Sequence, residues 1–156
     1  MPALVLHVFN PTDRPTDQVE TWRALDVWPA TDTYMQRHEP TIDIYDYAYV
    51  LRKWWVYPGD LVVVEQDIVL TYADFLKMRM CRSPVCAFDY PMDDGRSWTA
   101  VSDYGAFGAI KISLRARQAV VATPAVPRVT WSEVAMLVGE RLPVPHLHTP
   151  ALKHNH

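Results

Sequence analysis

The sequence predicts a single α/β domain, a mostly parallel sheet flanked by helices. Three observations lead there. Strand-sized apolar runs alternate with helix-spaced ones along the chain, the order expected of crossover units. Leu61-Val62-Val63-Val64 places four aliphatics in a row between turn signals, which describes a strand covered on both faces. With 156 residues, 49% hydrophobic and 21% charged, the chain is long and apolar enough to bury one core without staples.

The elements follow in order. Ala3 to Phe9 is apolar and branched, then stops at Asn10-Pro11-Thr12-Asp13, a first strand feeding a polar loop. Thr16 to Ala24 reads as a short helix capped by Thr16. Trp28 to Pro40 carries two prolines and no clear period, so a loop is expected. Thr41 to Tyr45 alternates and reads as a short strand. From Tyr45 to Trp55 the apolar residues Tyr47, Val50, Leu51 and Trp54 recur at helical spacing, until Pro58-Gly59 stops the helix. After the aliphatic strand, Thr71 caps a helix running to about Met80, with Asp74 in its first turn. Val85 to Phe88 is a further strand, Asp89 to Asp103 a polar loop, and Ala106 to Leu114 a later strand. A short helix begins near Ser113 and runs to about Val120. Thr130 then caps a helix from Trp131 to Leu142, with Glu133 completing a capping-box pattern. Residues 1–142 thus form the domain, and residues 143–156 a proline- and histidine-rich tail.

Composition excludes several classes. A formal charge of -3 and the absence of a basic excess argue against duplex nucleic acid as a partner. No apolar run approaches the ~18 residues of a membrane span, and the start lacks a basic secretory n-region. These features favour a cytoplasmic protein. With 13 prolines and 5 glycines, connections are expected to be stiff. Walker, G-x-G-x-x-G and G-x-S-x-G patterns are absent. Cys81 and Cys86 are expected as small buried hydrophobes flanking the turn at Ser83-Pro84, with a local disulfide the lesser alternative. The cluster Tyr45, Tyr47, Tyr49, Trp54 and Trp55 is expected in the core. The aromatic content also leaves room for self-association through an apolar face.

Chemistry concentrates at the end of the aliphatic strand, Val64-Glu65-Gln66-Asp67. Two residues apart on a strand, Glu65 and Asp67 share a side, and carboxylates beyond four core aliphatics belong at the sheet's ligand-binding edge. Two hard oxygen donors suit Mg²⁺ or Mn²⁺, while a helix cap or a pairing with Arg or Lys is the plainer use. His146, His148, His154 and His156 form the pattern H-x-H-x5-H-x-H, in which each extended H-x-H would present both rings to one ion. A frayed tail is the alternative. Glu133 and Asp103 are the candidate general bases, although Glu133 also fits a helix cap. Tyr104-Gly105-Ala106-Phe107-Gly108-Ala109 allows either close backbone approach to a substrate or a simple turn.

The segment Gly59-Asp60-Leu61-Val62-Val63-Val64-Glu65-Gln66-Asp67-Ile68 resembles the metal-binding strand of GT-A-fold glycosyltransferases, where an apolar strand ends in an acidic D-x-D or E-x-D motif. The stretches Cys81 to Tyr90 and Tyr104 to Gly108 are similar to small glycosyltransferase-like proteins of bacteria and phages, closed by a histidine-bearing tail. The resemblance implies a GT-A-like, Rossmann-like fold and transfer of a sugar from a nucleotide-diphosphate sugar to an acceptor. It places Mn²⁺ or Mg²⁺ on Glu65, Asp67 and His148. Phe9, Asn10, Asp13 and Glu65 would face the nucleotide, and Glu133 or Asp103 would serve as base. The motif departs from D-x-D in its first residue, and the chain is short for that fold. The competing functions are a non-catalytic nucleotide or glycan binding module of the same shape and a metal-dependent phosphoesterase.

Overall fold

The computed structural model describes residues 1–12, 15–42, 46–88, 90–91, 97–98, 107–120, 131–148 and 153–154. Strand β1 (Ala3–Phe9) leads through α1 (Pro15–Asp26) to β2 (Tyr34–Pro40), and α2 (Tyr47–Trp55) leads on to β3 (Leu61–Glu65). β4 (Ile68–Val69), α3 (Tyr72–Met80) and β5 (Val85–Phe88) follow. After the short strands β6 (Tyr90–Pro91) and β7 (Ser97–Trp98) come β8 (Ala109–Ile112), α4 (Leu114–Ala119), α5 (Trp131–Gly139), β9 (His146–His148) and β10 (Lys153–His154).

Six strands make the main sheet in the order β2-β1-β3-β8-β5-β9. β1 pairs in parallel with β2 and β3, and β5 with β9; only β8 runs against its neighbours. The fold is therefore α/β with a mostly parallel mixed sheet, as the sequence predicts. Alternation along β1 and β3 divides the core into two layers. Leu4, Leu6, Val8, Leu61 and Val63 pack with α2, α4 and α5, whereas Ala3, Val5, Val62 and Val64 pack with α1 and α3. The aliphatic run of β3 is wholly buried because both faces are covered.

Local chemistry explains the helix starts. The Thr71 hydroxyl accepts from the Asp74 amide while the Asp74 carboxylate accepts from the Thr71 amide, a reciprocal capping box. The Ser113 hydroxyl accepts from the Ala116 amide at the head of α4. The expected Thr130 cap lies outside the described residues.

Two expectations are corrected. The segment read as loop contains β2, and the strand expected at Thr41 to Tyr45 is displaced: β2 ends at Pro40, and residues 43–45 lie outside the described ones. β2 is an edge strand with a single neighbour, so its residues Tyr-Met-Gln-Arg-His-Glu are only partly buried and show no apolar alternation. The polar loop from Asp89 also holds the β6–β7 pairing. No helix among the described residues is long and apolar enough to cross a membrane.

Candidate functional site

Because β1, β3, β5 and β9 run the same way, the residues at their carboxyl ends share one edge of the sheet: Phe9, Glu65, Phe88 and His148. The amino end of antiparallel β8 brings Phe107 and Gly108 to the same edge. The chain leaves β1 toward β2 on one side and returns to β3 on the other, so strand order reverses between β1 and β3. α1 covers one face there and α2 the other. In open α/β sheets the ligand crevice lies beyond the carboxyl ends at such a reversal. Its floor is tied across: the Asn10 amide donates to Gln66 Oε1 at 2.8 Å, and the Thr21 hydroxyl to the Gln66 carbonyl at 2.7 Å.

Glu65 is not an open carboxylate. It is buried, and its oxygens accept from the Tyr47 hydroxyl at 3.1 Å, the Phe107 amide at 3.2 Å and the Gly108 amide at 3.1 Å. Gly108 adopts φ 60°, a left-handed conformation that turns consecutive amides toward one anion. The turn before β8 thus cradles a protein carboxylate. Burial, and then the neighbouring Asp67 charge, push the Glu65 pKa up to about 7 against the pull of these three donors.

The expectation that Glu65 lies open at the edge is therefore corrected: burial is tolerated because the carboxylate is satisfied. β3 ends at Glu65 and a turn follows, so Asp67 is presented by the turn rather than by strand alternation. Asp67 is half-buried, on the β3–β4 connection, close enough for its charge to act on Glu65.

The remaining candidates divide. Phe9 is buried at the end of β1, next to Asn10, whose side chain accepts from the Thr12 amide and hydroxyl. Glu133 is exposed in the first turn of α5. Asp13 and Asp103 lie outside the described residues. His148 ends β9, with β5 and β8 standing between it and β3. Its ring lies 5.3 Å from Phe88 and 4.8 Å from His146, so the first H-x-H pair does share a face. Among the described residues, His154 lies opposite Ile68 in the antiparallel β10–β4 pair, one residue beyond Asp67, and His7 lies opposite Val64, one residue before Glu65.

Cys81 and Cys86 are joined in a disulfide, which corrects the expectation of two thiols. The Lys111 ammonium donates to the Cys81 carbonyl at 2.6 Å.

Neither a protein-family model nor a curated sequence matches this chain significantly.

A divalent cation fits one part of the donor set. Asp67 offers hard oxygens beside a carboxylate whose ionisation its own charge opposes, and a cation there would relieve that repulsion. Glu65 fits less well as a direct ligand, since both of its oxygens already accept protein donors. His148 stands on the far side of two strands from that pair.

One polar group at this edge is invisible to motif reading. His7 lies wholly buried in β1, two residues before Phe9, and its Nδ1 meets His38 Nδ1 of β2 at 3.0 Å. Trp22 of α1 stacks on His38 with ring centroids 3.8 Å apart. Burial, reinforced by His38, lowers the His7 pKa to about 3, so the ring is neutral. Parallel pairing of His7 with His38 brings the two together, a contact no local spacing announces. A cavity of about 580 Å³ opens at the opposite, amino edge, lined by Met1, Pro2, Asp32, Asp60 and Arg79 among others.

Proposed function

We propose that the crevice between β1 and β3 binds the diphosphate of a nucleotide sugar and that the protein is a cation-dependent glycosyltransferase of the cytoplasm. The observation that carries this reading is the placement of Glu65, Gln66 and Asp67 at the carboxyl end of a buried strand, where strand order reverses. That placement favours this edge over the cavity at the amino edge.

Asp67 is the residue assigned to Mn²⁺ or Mg²⁺, which when bound would supply charge neutralisation for the departing diphosphate. Glu65 supports it from behind. Its carboxylate, held by Tyr47, Phe107 and Gly108, fixes the turn that presents Asp67. Phe9 and Asn10 end the β1 side, where the nucleoside is expected, and Asp13 follows them in the sequence. Glu133 and Asp103 remain the candidates for removing the acceptor proton.

Calorimetric titration of UDP and GDP, with and without Mn²⁺, on wild type and Asp67→Ala tests this reading. Binding that requires the cation and disappears in the variant is expected. No binding under any condition overturns the nucleotide-sugar site. Binding without consumption of any donor sugar, across a donor and acceptor screen, assigns the chain to a binding module instead. Turnover of a chromogenic phosphodiester with no acceptor present points to a phosphoesterase.

A further inference from the structure

A second group of ligand atoms lies across the sheet from the acidic crevice. Cys81 ends α3, Cys86 lies in β5 and His148 ends β9, and one ligand atom from each falls within 4.8 Å of the others. β5 and β9 pair in parallel with Cys86 opposite His146 and Phe88 opposite His148. Cys86, His146 and His148 therefore project from the same face of the sheet, the face against which α3 packs. The His146 and His148 rings stand 4.8 Å apart.

The two sulfurs are bonded to each other, across a Cα separation of 6.8 Å at the wide end of what a disulfide spans. In this state His148 Nε2 is buried and has no hydrogen-bond partner among the described residues. A buried imidazole nitrogen without a partner is uncommon enough to need a reason. A bound metal would supply one.

We propose that reduction of the Cys81–Cys86 disulfide converts this cluster into a zinc site, with Cys81, Cys86 and His148 as ligands and His146 in the fourth position. Two thiolates and two imidazoles are a donor set that favours Zn²⁺ over Mg²⁺ or Mn²⁺. The four-residue gap between the cysteines lies within the range that zinc sites use, and His146, whose ring stands 4.8 Å from that of His148 on the same face of the extended strand, is placed to turn in as the fourth ligand. Lys111 donates to the Cys81 carbonyl and so holds the first cysteine in place beyond the end of α3.

The chemistry balances with a small dithiol as reductant. Thiol–disulfide exchange breaks the Cys81–Cys86 bond and forms one disulfide in the reductant, delivering two electrons and two protons to the cysteines. Zn²⁺ then displaces the two thiol protons, which go to buffer. With Zn–S near 2.3 Å, tetrahedral geometry sets the sulfurs about 3.8 Å apart, so they separate on reduction without leaving the cluster. The ion would tie the end of α3 to β9, the strand that precedes the tail returning to β4.

The test is a Co²⁺ titration of the full chain, oxidised and after dithiol reduction, with the reductant removed under anaerobic buffer. The reduced protein is expected to take up one Co²⁺ per chain, showing a thiolate charge-transfer band and tetrahedral d–d bands that Zn²⁺ abolishes by displacement. The oxidised protein should show neither. Cys86→Ser and His148→Ala should each weaken binding at least about 100-fold, and His146→Ala about tenfold. The oxidised–reduced comparison needs no substitution, so misfolding of a variant leaves the conclusion intact. A reduced protein without the charge-transfer band, or one that binds no better than the oxidised form, overturns the proposal. So does a disulfide that resists dithiol while the chain is folded.

Discussion

His7 makes the fold sensitive to acid by an amount that follows from its burial. The ring is fully enclosed by β2, Phe9 and Trp22, and its pKa falls from 6.5 to about 3, chiefly through loss of hydration and then through His38. The folded chain keeps His7 neutral while the unfolded chain protonates it below pH 6.5. Its contribution is therefore present above that pH and is lost as pH falls toward about 3. The difference amounts to roughly 5 kcal/mol over the full window, of which about 2 kcal/mol is gone by pH 5. Replacing His7 with Asn keeps a polar atom near the Nδ1 position, within reach of His38, and removes the titration. Urea unfolding of wild type and His7→Asn at pH 7, 6 and 5, followed by tryptophan fluorescence, should show the variant losing its disadvantage as pH drops. Stability curves that run parallel between pH 7 and 5 would refute the argument, since a constant offset measures only lost packing.

Glu65 should behave in the opposite sense. Its pKa is raised from 4.5 to about 7, so the stability it contributes is full below pH 4.5 and is lost as pH rises through about 7. In chelator-treated buffer, Glu65→Gln should gain about 3 kcal/mol on wild type between pH 4.5 and 8, read from urea midpoints. An unchanged gap would mean that the carboxylate ionises normally in the fold. Arg117 is a structural cation: buried at 1% exposure, it donates to the carbonyls of Ile112 at 3.1 Å, Tyr57 at 2.6 Å and Gly59 at 2.5 Å. Arg117→Met should lower stability by about 3–5 kcal/mol in urea unfolding, and Arg117→Lys should recover less than half, because an ammonium cannot reproduce the planar fork. A loss under ~1 kcal/mol would show that water replaces the guanidinium.

What was legible in the sequence was whatever local pattern controls. β1, β3 and β5 read as apolar runs because each is buried on both faces, and α3 and α4 start where Thr71 and Ser113 can cap them. β2 was illegible for the same reason in reverse: at the edge of the sheet it needs no apolar alternation, and only its pairing with β1 makes it a strand. The Cys81–Cys86 bond depends on the turn between α3 and β5, whose closure five residues along the chain no composition argument reaches.

The acidic motif shows where one-dimensional reasoning stops. That Glu65 follows four core aliphatics was visible, and so was the inference that an unpaired carboxylate could not be buried there. What was not visible is that β8 runs antiparallel between β3 and β5 and so delivers the Phe107 and Gly108 amides to that carboxylate. The same strand and β5 separate His148 from Asp67, which divides the sequence's one hypothetical metal centre into two ligand groups of different character. Hard oxygen remains at the β3 turn, while sulfur and imidazole gather at the β5–β9 edge. Mn²⁺ should be discriminated against at the sulfur and imidazole group whereas Zn²⁺ competes at both, so a Mn²⁺ titration reports on the hard-oxygen group alone.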